Sequence, residues 1–424
     1  MTTATLNQAV PATSEETAAQ AAENRVPTRV TVIIPVFNGG ADLDKCLGAI
    51  AASTYPVVEA ILVDDGSTDG MTHPAATRHG ARVIRREQML GPASARNLGA
   101  FEARGDVIFF TDADVLVDPT AIAVAVRTLD ADPSLCAVFG SYDDQPGHAA
   151  FLSQYRNLLH HWVHQTGNTE AFTFWTGCGA IRREVLLHVG GFSENYARPS
   201  IEDIELGARL RAAGFRIRLE KTMLGQHLKC WRFWNMLKTD IFHRGVPWMR
   251  LVLREGHASS DLNLNLSSRI ATLLAGLFGL SLLVFPLAGQ LSALWPALAF
   301  LLAGAICARC INPTSTSGGA WLSAALVILL PAGAYWLAPN PWAVAPLAFA
   351  LGVIWTQLAF YRYLVQKRSV AFALAVVPMQ VVFFLGCMVA VPLGIVMHLF
   401  GQAPAAAHIA QARGAEWSSS NANE

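Results

Sequence analysis

Between Arg29 and about Leu219, short apolar runs alternate with mixed stretches. Val30–Val36 is an unbroken apolar and β-branched run, the pattern of a strand covered on both faces. Ala60–Val63, Ala81–Ile84 and Val107–Thr111 predict further strands. Asp42–Ala52, Gly91–Arg104 and Pro119–Ala131 predict helices, and Pro92 suits the first turn of the second. Strands alternating with helices predict a parallel sheet flanked by helices on both faces. In such sheets ligands bind beyond the carboxyl ends of the strands. No internal repeat is visible.

From Ile270 the pattern changes to long apolar stretches, with membrane spans predicted at 270–289, 291–308, 320–338, 341–360 and 370–399. The second is short, and the last is interrupted by Pro378 and Pro392. The connections at Ala288–Ser292 and Ala338–Trp342 carry no charge, whereas Arg309 and the Arg362–Arg368 cluster occupy the alternate ones. The positive-inside rule puts the charged connections in the cytoplasm, the N-terminal domain inside and the C-terminal tail outside. A soluble apolar core is the competing reading, opposed by the lack of a charged face over about 130 residues.

The 424 residues have a net charge of zero, so nothing in the overall field points to nucleic acid. That average hides an asymmetry: beyond Arg269 the charged residues are Arg309, Arg362, Lys367, Arg368, Arg413, Glu416 and Glu424. The start of the chain is rich in Ala, Thr and Glu, lacks the pattern of an export signal and is expected to be disordered. The expected organisation is a tail at 1–28, an α/β domain at 29–225, a basic and aromatic collar at 226–268, about five membrane helices at 269–400 and a tail at 401–424. The catalytic domain is expected on the cytoplasmic side of the inner or plasma membrane. Seven scattered cysteines, with Cys307 and Cys310 in the one CxxC, read as apolar filler in a reducing compartment.

Three acidic clusters fall at element ends. Ile61–Asp69 ends a strand in Asp64, Asp65 and a glycine turn. Carboxylates there can accept hydrogen bonds from a base or a ribose but repel phosphate; the plainer alternative is a self-bonded Asp-Gly turn. Asp106–Val115 delivers Asp112 and Asp114 to the same sheet edge, where two carboxylates can face a hard cation such as Mg2+ or Mn2+. A solvated acidic turn is the alternative. Pro199–Asp203 opens a helix in which Ser200 and Asp203 fit a capping box. In the functional alternative Asp203 is a general base whose pKa is lifted by Glu202 and a bound diphosphate.

The order VTVIIPVFN, VDDGSTD, GPASARNLGA, DVIFFTDADV, TGCGAIRREV, GGFSE and EDIELGARLRAAG resembles family-2 glycosyltransferases of the GT-A fold, over about Thr31 to Leu219. The resemblance implies a Rossmann-like nucleotide-sugar domain followed here by an all-α transmembrane domain. It implies that Pro35, Asn38, Asp64 and Asp65 hold the nucleoside, and that Arg96 and Asn97 lie near the nucleotide. Asp112 and Asp114 are then the metal pair, Asp114 being the direct ligand to Mg2+ or Mn2+. Gly177 and Gly179 let backbone approach the sugar or acceptor, with turn formation as the simpler role. Asp203, assisted by Glu202, becomes the base of an inverting displacement from a UDP- or GDP-sugar.

Between domain and first span, His227–Arg254 mixes Trp231, Phe233, Trp234 and Trp248 with six cations, which suits an interfacial segment on anionic lipid. Processive members of the family carry Gln-x-x-Arg-Trp nearby; this chain lacks it, although Arg244 or Trp248 can still touch donor or acceptor. Single-sugar transfer to a lipid or lipid-linked acceptor is therefore expected. The alternatives are a processive polysaccharide synthase, a non-catalytic nucleotide-sugar-binding membrane module and a transporter with a regulatory domain. The nearly featureless spans oppose the synthase pore and the transporter. A dinucleotide oxidoreductase is disfavoured because no GxGxxG follows the first strand.

Overall fold

The computed structural model describes residues 27–256, 262, 265–310 and 317–401. The expected tails fall almost wholly outside these residues, as do the side chains of Arg309 and Cys310. The α/β part runs β1 (Val30–Val36), α1 (Gly40–Ala51), β2 (Glu59–Asp64), α2 (Thr72–His79), β3 (Arg82–Arg85), α3 (Pro92–Glu102), β4 (Val107–Thr111), β5 (Val115–Val117) and α4 (Ala121–Ala131). It continues through β6 (Leu135–Tyr142), α5 (Phe151–Thr166), β7 (Glu170–Ala171), β8 (Cys178–Arg182), α6 (Arg183–His188), α7 (Glu202–Ala212) and β9 (Arg216–His227).

The described strands form one sheet in the order β3-β2-β1-β4-β8-β6-β9-β5, with β7 attached to β9. The first four spatial positions are parallel, as the alternation predicts. The fully parallel sheet is not found: β8 runs antiparallel to both β4 and β6. Cys178–Ile181 is buried on both faces, so β8 lacks the apolar/polar alternation that would have marked its direction. Pro35 lies beyond Ile33, the last β1 residue paired with β4, where a missing N–H costs that ladder nothing. The expected α/β domain followed by a helical region is thus present, and β9 carries the domain to His227, two residues past the expected boundary.

The collar folds as α8 (Phe233–Lys238), a π-helical turn (Thr239–Gly245) and α9 (Val246–Glu255). Beyond it lie α10 (Leu266–Leu287), α11 (Trp295–Cys310), α12 (Ser317–Leu337), α13 (Val344–Thr356), α14 (Leu358–Lys367) and α15 (Val370–Phe400). Two of the described helices, α10 and α15, are long and apolar enough to cross a membrane. The stretch expected as one span at 341–360 is instead broken at Gln357, with α13 and α14 bent by 65°. The last expected span is not interrupted: α15 continues through Pro378 and Pro392, and Gly304 of α11 leaves room for the Pro378 ring.

The two parts share a core through α5. Phe151, Tyr155 and Leu158 of α5 belong to one buried cluster with Phe372, Val376 and Phe384 of α15. The Tyr155 hydroxyl donates to Gln380 Oε1 (2.7 Å), which pairs one of the few polar groups in α15. Arg156 forms a buried ion pair with Asp240 of the π-helical turn (2.6 Å) and lies over the rings of Trp231 and Phe383. Trp231 is therefore a buried packing residue, whereas Trp234 and Phe242 are the exposed aromatics of the collar. Small residues on α15 admit the collar: a Cβ on Gly394 would meet Met249, and one on Gly245 would meet Ala390. Lys367 and Arg368 bond Asp144, Gln154 and the Asp144 carbonyl, fixing that basic connection against the α/β domain.

Removing one partner of a buried ion pair strands the other charge, at a cost of about 3–5 kcal/mol. Asp240→Ala is accordingly expected to lower the unfolding free energy by about that amount, while the double change Arg156→Met/Asp240→Leu recovers most of it. Denaturation in detergent followed by circular dichroism checks both values.

Candidate active site

The site is organised by Arg96. Asp65, at the end of β2, accepts from the backbone N–H groups of Leu90 (3.0 Å) and Gly91 (2.7 Å) and pairs with Arg86. Gly91 has a φ of 95° and lies so close to Ala197 that a Cβ would overlap its carbonyl, so only glycine serves there. Pro92 then starts α3. One turn later the buried Arg96 guanidinium donates to Glu202 Oε1 (2.9 Å) and to Asp112 Oδ1 (2.8 Å). One cation thereby joins α3, the end of β4 and the start of α7. Burial works against its charge, but Asp112, Glu202 and Asp203 more than offset this and hold the guanidinium above its ordinary pKa.

Asp203 stands beside this cluster. Its Oδ2 accepts from Thr176 N (3.3 Å) and from the Thr176 hydroxyl (3.4 Å), and its Oδ1 from Ile204 N (2.8 Å). Burial, then the charge of Glu202, lift the carboxyl to about 6; Arg96 and the Thr176 and Ile204 N–H groups oppose the rise. The expected Ser200–Asp203 capping box is absent. Ser200 donates its hydroxyl to the His243 carbonyl (2.6 Å), and its own N–H goes to Glu202 Oε2 (2.8 Å). The collar has captured the capping group, which leaves Asp203 for other work. Gly207 lets α7 come close enough for this: a Cβ there would lie 2.4 Å from Phe174 N.

Asp112 and Asp114 bracket the turn between β4 and β5, both with about one third of the side chain exposed. The Asp114 carbonyl accepts from Leu228 N (2.9 Å), and β5–β9 pairing sets Val115 opposite His227. His227 Nε2 consequently lies 3.5 Å from Asp114 Oδ2. Burial alone would raise the Asp114 pKa, but His227 and Lys229 bring it below the usual carboxylate value. Two ligand atoms at adjacent corners of an octahedral site with bonds of about 2.1 Å are about 3 Å apart. The carboxylate and imidazole therefore fit a divalent cation in composition and spacing. Among the described residues, no group of three or more His, Cys, Asp or Glu side chains forms a complete cage. Hard cations of this kind usually complete their shell with water and substrate phosphates.

Behind His227 lies a stack of rings. Tyr142 is nearly parallel to His227 (4.2 Å, 5°) and also touches His160 and Trp175, while His160 contacts His164 at 4.0 Å. Burial pushes the Tyr142 phenol well up, Asp112 and Asp114 act in the same sense, and Arg244 opposes them. Burial likewise drives His160 well below its ordinary value, followed by its neighbours His164, Arg244 and His227. Arg244 is exposed, and its charge acts on both Tyr142 and His160.

Several expected site residues make contacts within the protein. Asp64 accepts from Ser67 N and pairs with Arg85, as the self-bonded turn reading has it. Asn38, at φ 53°, receives N–H bonds from Thr68 and Asp69 and ties the end of β1 to that same turn. Asn97 clamps the 192–194 loop through Phe192 N, Phe192 O and Glu194, away from the Arg96 bonds. Glu202 is buried; its Oε1 accepts from Arg96 and its Oε2 from Ser200 N, and its charge acts on Asp203. Gly177 and Gly179 are required by local packing: a Cβ at Gly177 would overlap the Trp175 ring, and one at Gly179 the Trp175 carbonyl and the Phe174 ring. Trp248 lines a groove of about 240 Å³ with Ile204, Ala208 and Leu251, on the face between α7 and α9. Among the described residues, no direct bond joins Asp65 to the Asp112–Arg96–Glu202 cluster; it acts one step away, through the turn that starts α3.

Residues 31–190 match the family model described as Glycosyl transferase family 2. Glycosyltransferase GlyG of Streptococcus pneumoniae is 33% identical over 129 residues, 29% of this chain and 42% of that protein. Validoxylamine A glucosyltransferase of Streptomyces hygroscopicus is 28% identical over 239 residues, 48% of this chain and 56% of that protein. The chain spans about half the length of the curated relatives it matches, from 42% to 61% for the leading three. Among solved structures, mannosyltransferase PcManGT from Pyrobaculum calidifontis, in complex with GDP-Man and Mn2+, aligns over 89% of each chain at 19% identity and a TM-score of 0.48. Residues 31–190 are a glycosyl transferase family 2 domain.

Proposed function

We propose that this chain is a membrane-anchored inverting glycosyltransferase that moves one sugar from a UDP- or GDP-sugar to a hydroxyl on a lipid or lipid-linked acceptor. The observation that carries the reading is the bridge from Arg96 to Asp112 and Glu202, which ties together the chain segments bearing Asp203, read as the proton acceptor, and Asp114, read with His227 as the cation pair. Asp203 accepts the proton of the acceptor hydroxyl. The freed oxygen forms a bond to the anomeric carbon as the bond from that carbon to the diphosphate breaks, and attack from the opposite face inverts the configuration. Asp114 and His227, with Asp112 adjacent, would hold Mg2+ or Mn2+, which neutralises charge developing on the leaving diphosphate. Arg244, whose charge acts on Tyr142, would add positive charge for that group.

Membrane anchoring is supported by α10 and α15. The cytoplasmic orientation is supported by Lys367 and Arg368, which belong to a basic connection and bond the α/β domain directly. A site resting on the collar favours an acceptor that partitions into the bilayer. The acceptor class proposed here rests on the membrane helices and the collar.

General-base removal costs about 10²–10⁴ in rate. Asp203→Asn is expected to lose transfer by that factor while binding of the nucleotide sugar, measured by calorimetry, is retained; near-normal turnover would remove Asp203 from the role. Because the base acts ionised and titrates at about 6, transfer should decline as pH falls through about 6 and level off above it. A rate independent of pH between 5 and 7 would contradict that assignment. Asp114→Ala is expected to abolish the difference in nucleotide binding between Mn2+ and EDTA, a difference the unaltered chain should show.

A further inference from the structure

Tyr142 takes no part in the scheme above, yet it faces the one ring whose direction matters to Asp114. We propose that Tyr142 is a positioning residue for cation capture: its ring face fixes the His227 imidazole so that Nε2 points at Asp114, and the cation binds tightly only while that ring is held. This rests on the reading of Asp114 and His227 as cation ligands.

The backbone alone does not orient the imidazole. Pairing of Val115 with His227, and the Leu228 N to Asp114 O bond, fix the Cα but leave both side-chain torsions open. A metal-binding histidine is usually aimed by a hydrogen bond from its other ring nitrogen to a carboxylate or carbonyl. Among the described residues no such bond is made by His227. A flat face takes its place, since Tyr142 lies 4.2 Å away and within 5° of parallel. The face is itself immobilised. The Tyr142 carbonyl is held by His161 Nδ1 (2.6 Å), and the residue pairs with Gly225 of β9. Its ring meets the edge of Trp175 at 4.8 Å and His160 at 4.4 Å. The row ends on His164, whose Nδ1 is tied to the Gly140 carbonyl (2.8 Å). Tyr142 is nearly buried, so it cannot swing aside into solvent.

If Tyr142 were ordinary core, an aliphatic residue that preserves the fold would replace it without touching the cation. The test is a titration of the full chain in detergent with Mn2+ alone, following free Mn2+ by electron paramagnetic resonance, with thermal unfolding recorded for every variant. Tyr142→Leu should weaken Mn2+ binding about tenfold, the lower end of the effect of residues that orient metal ligands. Tyr142→Phe, which keeps the face, should stay close to the unaltered chain. In a His227→Ala background Tyr142→Leu should have no further effect. Should Leu prevent folding, Tyr142→Met supplies the same comparison. The proposal is overturned if the Leu or Met variant holds Mn2+ normally while Asp114→Asn loses it, if Phe fails as badly as Leu, or if the loss persists undiminished without His227. Equal Mn2+ binding by the unaltered chain and Asp114→Asn would instead sink the cation reading itself, and this inference with it.

Discussion

A buried guanidinium must be neutralised, and that requirement shapes the active centre. Arg96 lies on α3, but its charge can be satisfied only if the end of β4 and the start of α7 arrive at the same place with carboxylates. Asp112 and Glu202 are 90 positions apart and meet because of it. Asp203 follows as the next residue on α7, and Asp114 as the next but one after Asp112. The elements that aim Arg96 are equally specific: Asp65 caps the turn into α3, and Gly91 permits a contact with the Ala197 backbone that no other residue allows. Proximity among the carboxylates then sets their chemistry. Asp203, half-buried beside Glu202, is raised; Asp114, facing His227 and Lys229, is lowered. Two acids of one type are thereby shifted in opposite directions, which suits the proposed roles of proton acceptor and cation ligand.

How much of this could be read from the chain depends on the range of the interaction. Strands such as Val107–Thr111, and the acidic turns after them, follow from local apolar runs, and the structure reproduces them nearly to the residue. The direction of β8 was hidden because burial on both faces erases periodicity. The capping box at Ser200 failed for a different reason: a carbonyl 43 residues later, at His243, competes for the hydroxyl. At Gly177 and Gly179 the sequence does not show the packing that requires glycine: the Trp175 ring lies against the first, and the Trp175 carbonyl and the Phe174 ring against the second. His227 was assigned to the collar by its basic and aromatic company. Only the β5–β9 pairing reveals that it faces Asp114. Its position at the end of a strand, the same placement that singled out the aspartates, was the signal available.

The helical region is more than a tether. Through Tyr155–Gln380 and Arg156–Asp240, α5 is bonded to α15 and to the π-helical turn, and that turn holds Ser200 and carries Arg244. The same α5 bears His160 and His164, which back the ring row behind His227. One helix thus faces the apolar core of α15 on one side and the candidate cation pair on the other. Detergent or lipid conditions that disturb α15 are therefore coupled to the geometry of the site by direct packing.

The central claim is that these converging carboxylates handle a nucleotide sugar. It is tested most directly by incubating the purified full chain, in detergent with Mn2+ and a membrane lipid extract, with a panel of UDP- and GDP-sugars and measuring nucleoside diphosphate release. The account predicts release from one donor class, abolished by EDTA. No release from any donor, or release indifferent to EDTA, would contradict it.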